Sequence, residues 1–178
     1  MRHIFIVLFM CVAAIAIGTV LYVFGPQELN EAATLDASGA AALTSGPLED
    51  ISFVVLAEGQ NAARVTERKN YAVYDEAEYA RLWQMAYGDD APPMPEVDFV
   101  REYVIGVFAG VKPSGGYDIT VTQVADSSTE RTVAITLVSP GEGCMTTQAF
   151  TSPFELVRVP NADLEIVKEE TQTATACR

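Results

Sequence analysis

Four stretches with the two-residue periodicity of half-buried strands, Tyr103 to Val111, Tyr117 to Val124, Arg131 to Ser139 and Ala149 to Val159, follow one another with only turns between them. In the third, Val133, Ile135 and Leu137 alternate with Thr132, Ala134 and Thr136. Strands this closely spaced leave no room for the crossover that parallel pairing needs, so they predict an antiparallel sheet. The first junction, Val111-Lys112-Pro113-Ser114-Gly115-Gly116-Tyr117, holds one residue that fixes φ and two that permit positive φ and carry no side-chain bulk. Such a junction either turns an awkward corner or brings its backbone close to something else. The residues leave both open.

Upstream, Ile51 to Leu56 reads as a strand and Glu58 to Asn61 as a turn, with short strands at Ala62 to Glu67 and Tyr71 to Tyr74. Asp75 is a helix N-cap, with Glu78 three residues on completing a capping-box-like pair. The helix runs from Glu76 to Tyr87 and Gly88 stops it. Tyr79, Leu82, Trp83 and Ala86 share one face, so Trp83 reads as the residue that pins the helix onto the sheet. Asp89 to Pro95 is a polyproline-like connector. The acids Asp89, Asp90, Glu96 and Asp98 lack the alternating spacing of a calcium loop and read as a solvated surface. Leu164 to Val167 is a candidate edge strand, and Thr171 to Arg178 reads as a polar tail.

At the other end, Ile4 to Phe24 is an apolar run without a charge. As a helix it would span about 30 Å, the thickness of a bilayer core. Its length and its bulky end, Leu21-Tyr22-Val23-Phe24, favour an uncleaved signal anchor with Arg2 cytoplasmic and the domain outside. Cleavage near Ala32-Ala33 or Ala40 to Ala42 is the alternative, giving a secreted protein. The resulting division is an anchor over 1–25, a flexible stalk over 26–47, a domain over 48–168 and a tail over 169–178. The fold class expected for the domain is α+β, a mainly antiparallel sheet with one amphipathic helix packed on it.

Chemistry is constrained by what is missing. The one histidine, His3, lies outside the domain, which excludes Ser-His-Asp and Cys-His arrangements and any histidine-ligated metal within it. A net charge of −13 repels phosphate backbones, so nucleic acid is an unsuitable partner. No phosphate-binding motif is present, and the 111–117 junction joins two strands with no helix N-terminus to meet an anion. Ser114, Ser139 and Ser152 have no base, and Lys112 has no serine paired with it in the sequence. The expectation is a non-enzyme, without catalytic residues, metal or cofactor. Cys11 falls in the apolar run. Cys144 and Cys177 fall in the exported part, as a disulfide or as free thiols.

What remains are turns at strand ends: Lys112, Pro113, Ser114, Gly115, Gly116 and Tyr117 in the first; Gly141 and Gly143 in the second; Pro153 and Phe154 in the third. With strands running up and down, the first two lie at one end. Exposed loops on a rigid sheet make a protein-binding surface, and these ten residues are the candidate partner-binding set. The plainer reading is that their glycines and prolines only turn corners.

The residues also resemble a known family. Val104-Ile105-Gly106-Val107-Phe108-Ala109-Gly110, then Lys112-Pro113-Ser114-Gly115-Gly116-Tyr117-Asp118-Ile119, resemble the PrcB C-terminal domain family. So do Ser139-Pro140-Gly141-Glu142-Gly143-Cys144 and Thr147-Gln148-Ala149-Phe150-Thr151-Ser152-Pro153-Phe154. The resemblance covers about Ile51 to Val167. That family takes its name from a subunit of a bacterial surface protease complex, which supports the protease without being one. The resemblance implies a non-catalytic, envelope-facing accessory domain, on a bacterial cell membrane with the domain periplasmic or extracellular, that stabilises or binds a partner protein such as a peptidase. The named subunit is a lipoprotein, whereas Leu8-Phe9-Met10 before Cys11 is too bulky for a lipobox, so attachment differs. A weaker similarity is to chagasin-type protease inhibitors, whose three loops echo 111–117, 140–144 and 151–154. It implies the alternative function, direct protease inhibition through those loops.

Overall fold

The computed structural model describes residues 48–176. The apolar run from Ile4 to Phe24, the stalk and Cys177 lie outside the described residues. Among the described residues no helix is long and apolar enough to cross a membrane.

The strands are β1 (Glu49–Asp50), β2 (Val54–Gly59), β3 (Lys69–Val73), β4 (Glu102–Phe108), β5 (Asp118–Asp126), β6 (Glu130–Pro140), β7 (Phe154–Pro160) and β8 (Glu165–Thr175). One helix, α1 (Glu76–Tyr87), is followed by a 3-10 turn at Gly88–Asp90. The strands form two four-stranded sheets, ordered β1-β5-β6-β8 and β2-β7-β4-β3. All pairings are antiparallel except β6 with β8. The mainly antiparallel α+β class expected from the sequence is therefore present, but as a sandwich of two sheets with the helix on the outer face of one.

That layering explains the run from Tyr103 to Ala109, in which every residue is buried. Successive side chains of a strand point to opposite faces, and β4 is covered on both. Val104 and Phe108 join Tyr79, Leu82 and Trp83 in the core beneath α1. Tyr103, Ile105, Val107 and Ala109 join Ile119, Val133 and Ile135 in the core between the sheets. Strand β7 divides the same way, Phe154 and Leu156 toward the helix and Val157 and Val159 toward the other sheet.

The helix begins and ends where its residues predict. The Asp75 carboxylate accepts the Glu78 backbone N–H at 2.8 Å, and the Gly88 N–H closes on the Gln84 carbonyl. Its buried face is Tyr79, Leu82, Trp83 and Ala86. Each large apolar side chain on it contributes about 1.5–3 kcal/mol on burial. The Trp83 indole N–H donates to the Pro92 carbonyl at 2.9 Å, so the helix anchor also fixes the proline-rich connector.

Several boundaries differ from expectation, each for a physical reason. Ala62 to Glu67 is not a strand. The Ala63 and Arg64 N–H groups donate to the Ala86 and Met85 carbonyls, satisfying acceptors that the end of α1 leaves unpaired. Residues 149–153 do not extend β7; they cross from one sheet to the other, with Thr151 and Ser152 in isolated bridges to Lys112 and Asn61. The 164–167 edge and most of the 171–178 tail form one eleven-residue strand, β8, parallel to β6. Its threonines carry no hydrophobic period, but Thr is a β-branched strand former wherever an edge offers a partner.

The junction between β4 and β5 is no hairpin. Strand β4 belongs to one sheet and β5 to the other, so the chain arches across the end of the sandwich. Gly110, at φ 71°, starts the arch. A Cβ there would stand 2.6 Å from the Glu67 carbonyl carbon and 2.7 Å from the Arg68 nitrogen. Both the left-handed backbone and the space require glycine.

Candidate functional site

Both inter-sheet connections on the β4–β7 segment meet at one end of the sandwich. Lys112 and Thr151 exchange backbone hydrogen bonds, Lys112 N–H to the Thr151 carbonyl at 2.7 Å and the reverse at 3.1 Å. The Thr151 hydroxyl donates to the Ser114 carbonyl at 2.8 Å, and the Gly115 N–H donates to the Thr147 carbonyl at 3.1 Å. The 111–117 arch and the 141–153 connection are thus knitted into one platform, as their common end on the strands predicts.

Most of the ten candidate residues build this platform. The Lys112 ammonium lies 5.8 Å from the centre of the Tyr117 ring, within cation–π range. A Cβ at Gly115 would stand 2.3 Å from the Thr147 hydroxyl oxygen, and one at Gly141 2.2 Å from the Thr175 carbonyl oxygen. These glycines therefore bring the arch and the second loop against their own chain. Gly116 abuts Pro140 in the same way. Gly143 alone among these four has open space around its Cβ position.

Pro153 and Phe154 do not present themselves to a partner. Both are buried, Phe154 with 3 % exposure. The Phe154 ring stacks on Phe108 at 5.8 Å and meets Tyr87 edge-on at 5.4 Å. Thr-Ser-Pro before a strand places the following aromatic at the first inward position, beneath the helix.

The platform offers residues that motif reading passed over. Met145 is fully exposed and Phe150 is 76 % exposed, both in the connection from β6 to β7, while Val111 is exposed where the arch begins. Their signal in the sequence is an apolar side chain out of strand period, among Gly, Ser and Thr. Pro113, Gly116 and Gly143 are also exposed, so the loop tip presents uncharged residues beside the charged Glu142 and Lys112.

Titratable groups with shifted behaviour lie away from this tip and inside the layers. Burial pushes the Tyr79 phenol up to about 12, with Tyr87 adding to the rise. Burial likewise raises Tyr103, against the opposing hydrogen bond from Arg131. The Arg131 guanidinium is held charged above all by its hydrogen bonds to Asp126. Glu155, buried between the sheets, is raised by desolvation first and then by Glu58 and Asp118, against the Val121 N–H that it accepts. Among the described residues no group of three or more His, Cys, Asp or Glu is arranged to hold a metal ion.

Residues 103–160 match the family model described as PrcB C-terminal. The match spans β4 to β7 and so contains both connections of the platform, a narrower stretch than the resemblance read from the motifs. No curated protein and no solved structure is found to match the chain.

Proposed function

We propose that this chain is a non-catalytic accessory domain that binds and stabilises a partner protein through the loop platform, held at a bacterial membrane by its N-terminal apolar run. The observation that carries the reading is the Met145–Phe150 tip. Large apolar side chains exposed together at the end of a rigid sheet cost solubility and mark an interaction site. The glycines beneath them are used internally, so the platform is held in one conformation and little ordering entropy opposes binding. The PrcB C-terminal match over the same segment suits an accessory domain like the subunit of a protease complex, and the partner proposed on that basis is a peptidase.

The Cys144–Cys177 disulfide belongs to this proposal. The Cys144 Sγ lies 3.9 Å from the Thr175 carbonyl oxygen, two residues before Cys177 in the chain. Such a bridge would fasten the β8 end to the loop that carries Met145.

Direct protease inhibition has less support, because the aromatic of the third loop, Phe154, is in the core.

Photo-crosslinking tests the proposal. p-Benzoylphenylalanine is placed at Met145, at Phe150 and, as control, at Gln84 on the exposed side of α1, in the full chain in its native envelope. One recurrent adduct from positions 145 and 150 but not from 84, identified as a peptidase, is expected. The same weak background from all three positions would end the platform reading. An adduct with a protein of another class would keep the platform and remove the peptidase.

A further inference from the structure

Strand β3 ends its sheet: among the described residues it pairs with β4 on one side and with no strand on the other. Every second residue of such an edge turns its backbone N–H and C=O outward. On one side of β3, toward the helix, a groove of about 230 Å³ is lined by Tyr71, Val73, Leu82 and Met85, with Arg81 and Glu78 at its sides. On the other side, between the sheets, an apolar cleft of about 180 Å³ is lined by Ile105, Val133, Ile135 and Ile166, with Lys168 on its rim. Both cavities include Tyr71 and Ala72, so they flank the same edge.

The charges around this edge are unusual for the chain. Arg64, Arg68, Arg101, Arg131 and Arg158 are ion-paired. Among the described residues the cations outside any ion pair are Lys69, Arg81, Lys112 and Lys168. All but Lys112 border the β3 edge: Lys69 begins the strand, Arg81 lines the helix-side groove and Lys168 lines the inter-sheet cleft. On a chain of net charge −13 this gathers three of the four cations outside ion pairs at one edge, although Glu67, Glu169 and the Arg68-paired Glu170 stand near them. Glu78 is the one acid lining either cavity.

We propose that the β3 edge is a peptide-binding site that takes an extended acidic segment of a partner protein as an added strand. Backbone hydrogen bonds to β3 supply affinity. Because side chains alternate across a strand, two adjacent apolar residues of the segment enter the two cavities, one beside Leu82 and Met85, the next beside Ile105 and Ile135. Acidic residues on either side of that pair meet Lys69, Arg81 and Lys168. A second copy of this chain is a poor occupant, since pairing two β3 edges would set these cations against their own duplicates. The site lies apart from the loop platform and stands whether or not Met145 and Phe150 bind anything.

The test uses the full chain in lipid nanodiscs and fluorescein-labelled ten-residue peptides with a central valine-leucine pair. One peptide flanks the pair with glutamates, one with lysines, and a third is the glutamate peptide with alternate backbone nitrogens methylated. The wild type is expected to bind the glutamate peptide at least tenfold more tightly than either other. Hydrogen exchange at residues 69–73 should slow on its addition. In the double variant Arg81→Glu, Lys168→Glu the preference should reverse toward the lysine peptide, a gain that a misfolded variant would not show. Equal binding of the methylated peptide, no binding of the glutamate peptide, or an unchanged preference in the double variant would each overturn the proposal. So would a β3–β3 dimer detected by crosslinking.

Discussion

The Glu155 carboxylate on β7 accepts the backbone N–H of Val121 on β5 at 2.6 Å, reaching from one sheet of the sandwich to the other. Val121 sits where the β5–β6 register shifts before Gln123, a bulge that interrupts the regular ladder. A buried acid thus meets a backbone donor across the core at an irregularity in the facing sheet. Its environment is not otherwise favourable to charge. Glu58 is its direct cross-strand neighbour on β2, and Asp118 also opposes its ionisation.

That relationship sets a pH dependence. Folding raises the Glu155 pKa above its ordinary value of 4.5, so the protonated form favours the folded state. The contribution is fully present below the unfolded pKa and is lost as pH rises through the folded one. Glu155→Gln keeps an acceptor for Val121 and removes the buried charge. Its melting temperature should exceed that of the wild type at pH 7–8, and the difference should shrink toward pH 4. Calorimetry across this range checks it. A variant less stable than wild type at pH 8 would show that the carboxylate is needed as a charged acceptor.

Three glycines should respond differently to alanine. At Gly110 a Cβ meets backbone of residues 67–68 that cannot step aside, and φ is positive. Loss of several kcal/mol is expected, at the severe end of single substitutions. At Gly115 the obstacle is the Thr147 hydroxyl, which can rotate, so about 1 kcal/mol is expected. At Gly143 there is open space and only the positive φ, about 1–2 kcal/mol. Urea unfolding of the three variants orders them. A Gly115→Ala change costlier than Gly110→Ala would place the rigid point of the arch elsewhere.

A second inter-element tie is built on Arg131, 2 % exposed, whose guanidinium forks onto Asp126 at 2.6 and 2.7 Å. It also donates to the Pro160 carbonyl and lies over the Tyr103 ring, tying β6 to β7 and β4. Arg131→Ala leaves Asp126 without its cation and should cost about 3–5 kcal/mol. Arg131→Met with Asp126→Leu should recover most of that, because neither charge is then stranded. If the double variant were no more stable than Arg131→Ala, the loss would lie in packing against Tyr103 and not in the charge.

The sequence made the helix and four strands readable for ordinary reasons. Asp75, Gly88 and the Tyr79–Leu82–Trp83–Ala86 spacing are local signals, and the helix bounds match them residue for residue. The arrangement into two sheets was not legible, because the arch at Gly110 depends on the distant backbone of Glu67 and Arg68. Strand β8 was half hidden because a Thr- and Glu-rich edge needs no apolar period. Of the candidate site, the position of the loops followed from strand alternation. The direction of Phe154 did not, since it depends on where the crossing at 149–153 ends and β7 begins.

The placement of β8 yields the last prediction, which rests on the proposed Cys144–Cys177 bridge. Strand β8 pairs with β6 along its whole length, Glu165 opposite Glu130 and Thr175 opposite Pro140. It contributes Ile166 and Lys168 to the cleft beside β3, and its Glu170 carboxylate is ion-paired with Arg68 at 2.7 Å. The bridge would close a loop worth about 3–4 kcal/mol in the chain-entropy account. Reduction, or Cys144→Ser with Cys177→Ser, should lower the melting temperature by roughly 10 °C for a domain of this size. Because β8 is an edge held on one side only, its amides should also exchange faster while those of β4 and β7 keep their protection. Equal melting temperatures with and without reductant would mean that pairing with β6 alone holds the strand, and that the loop bearing Met145 owes its shape to the backbone contacts at Gly141.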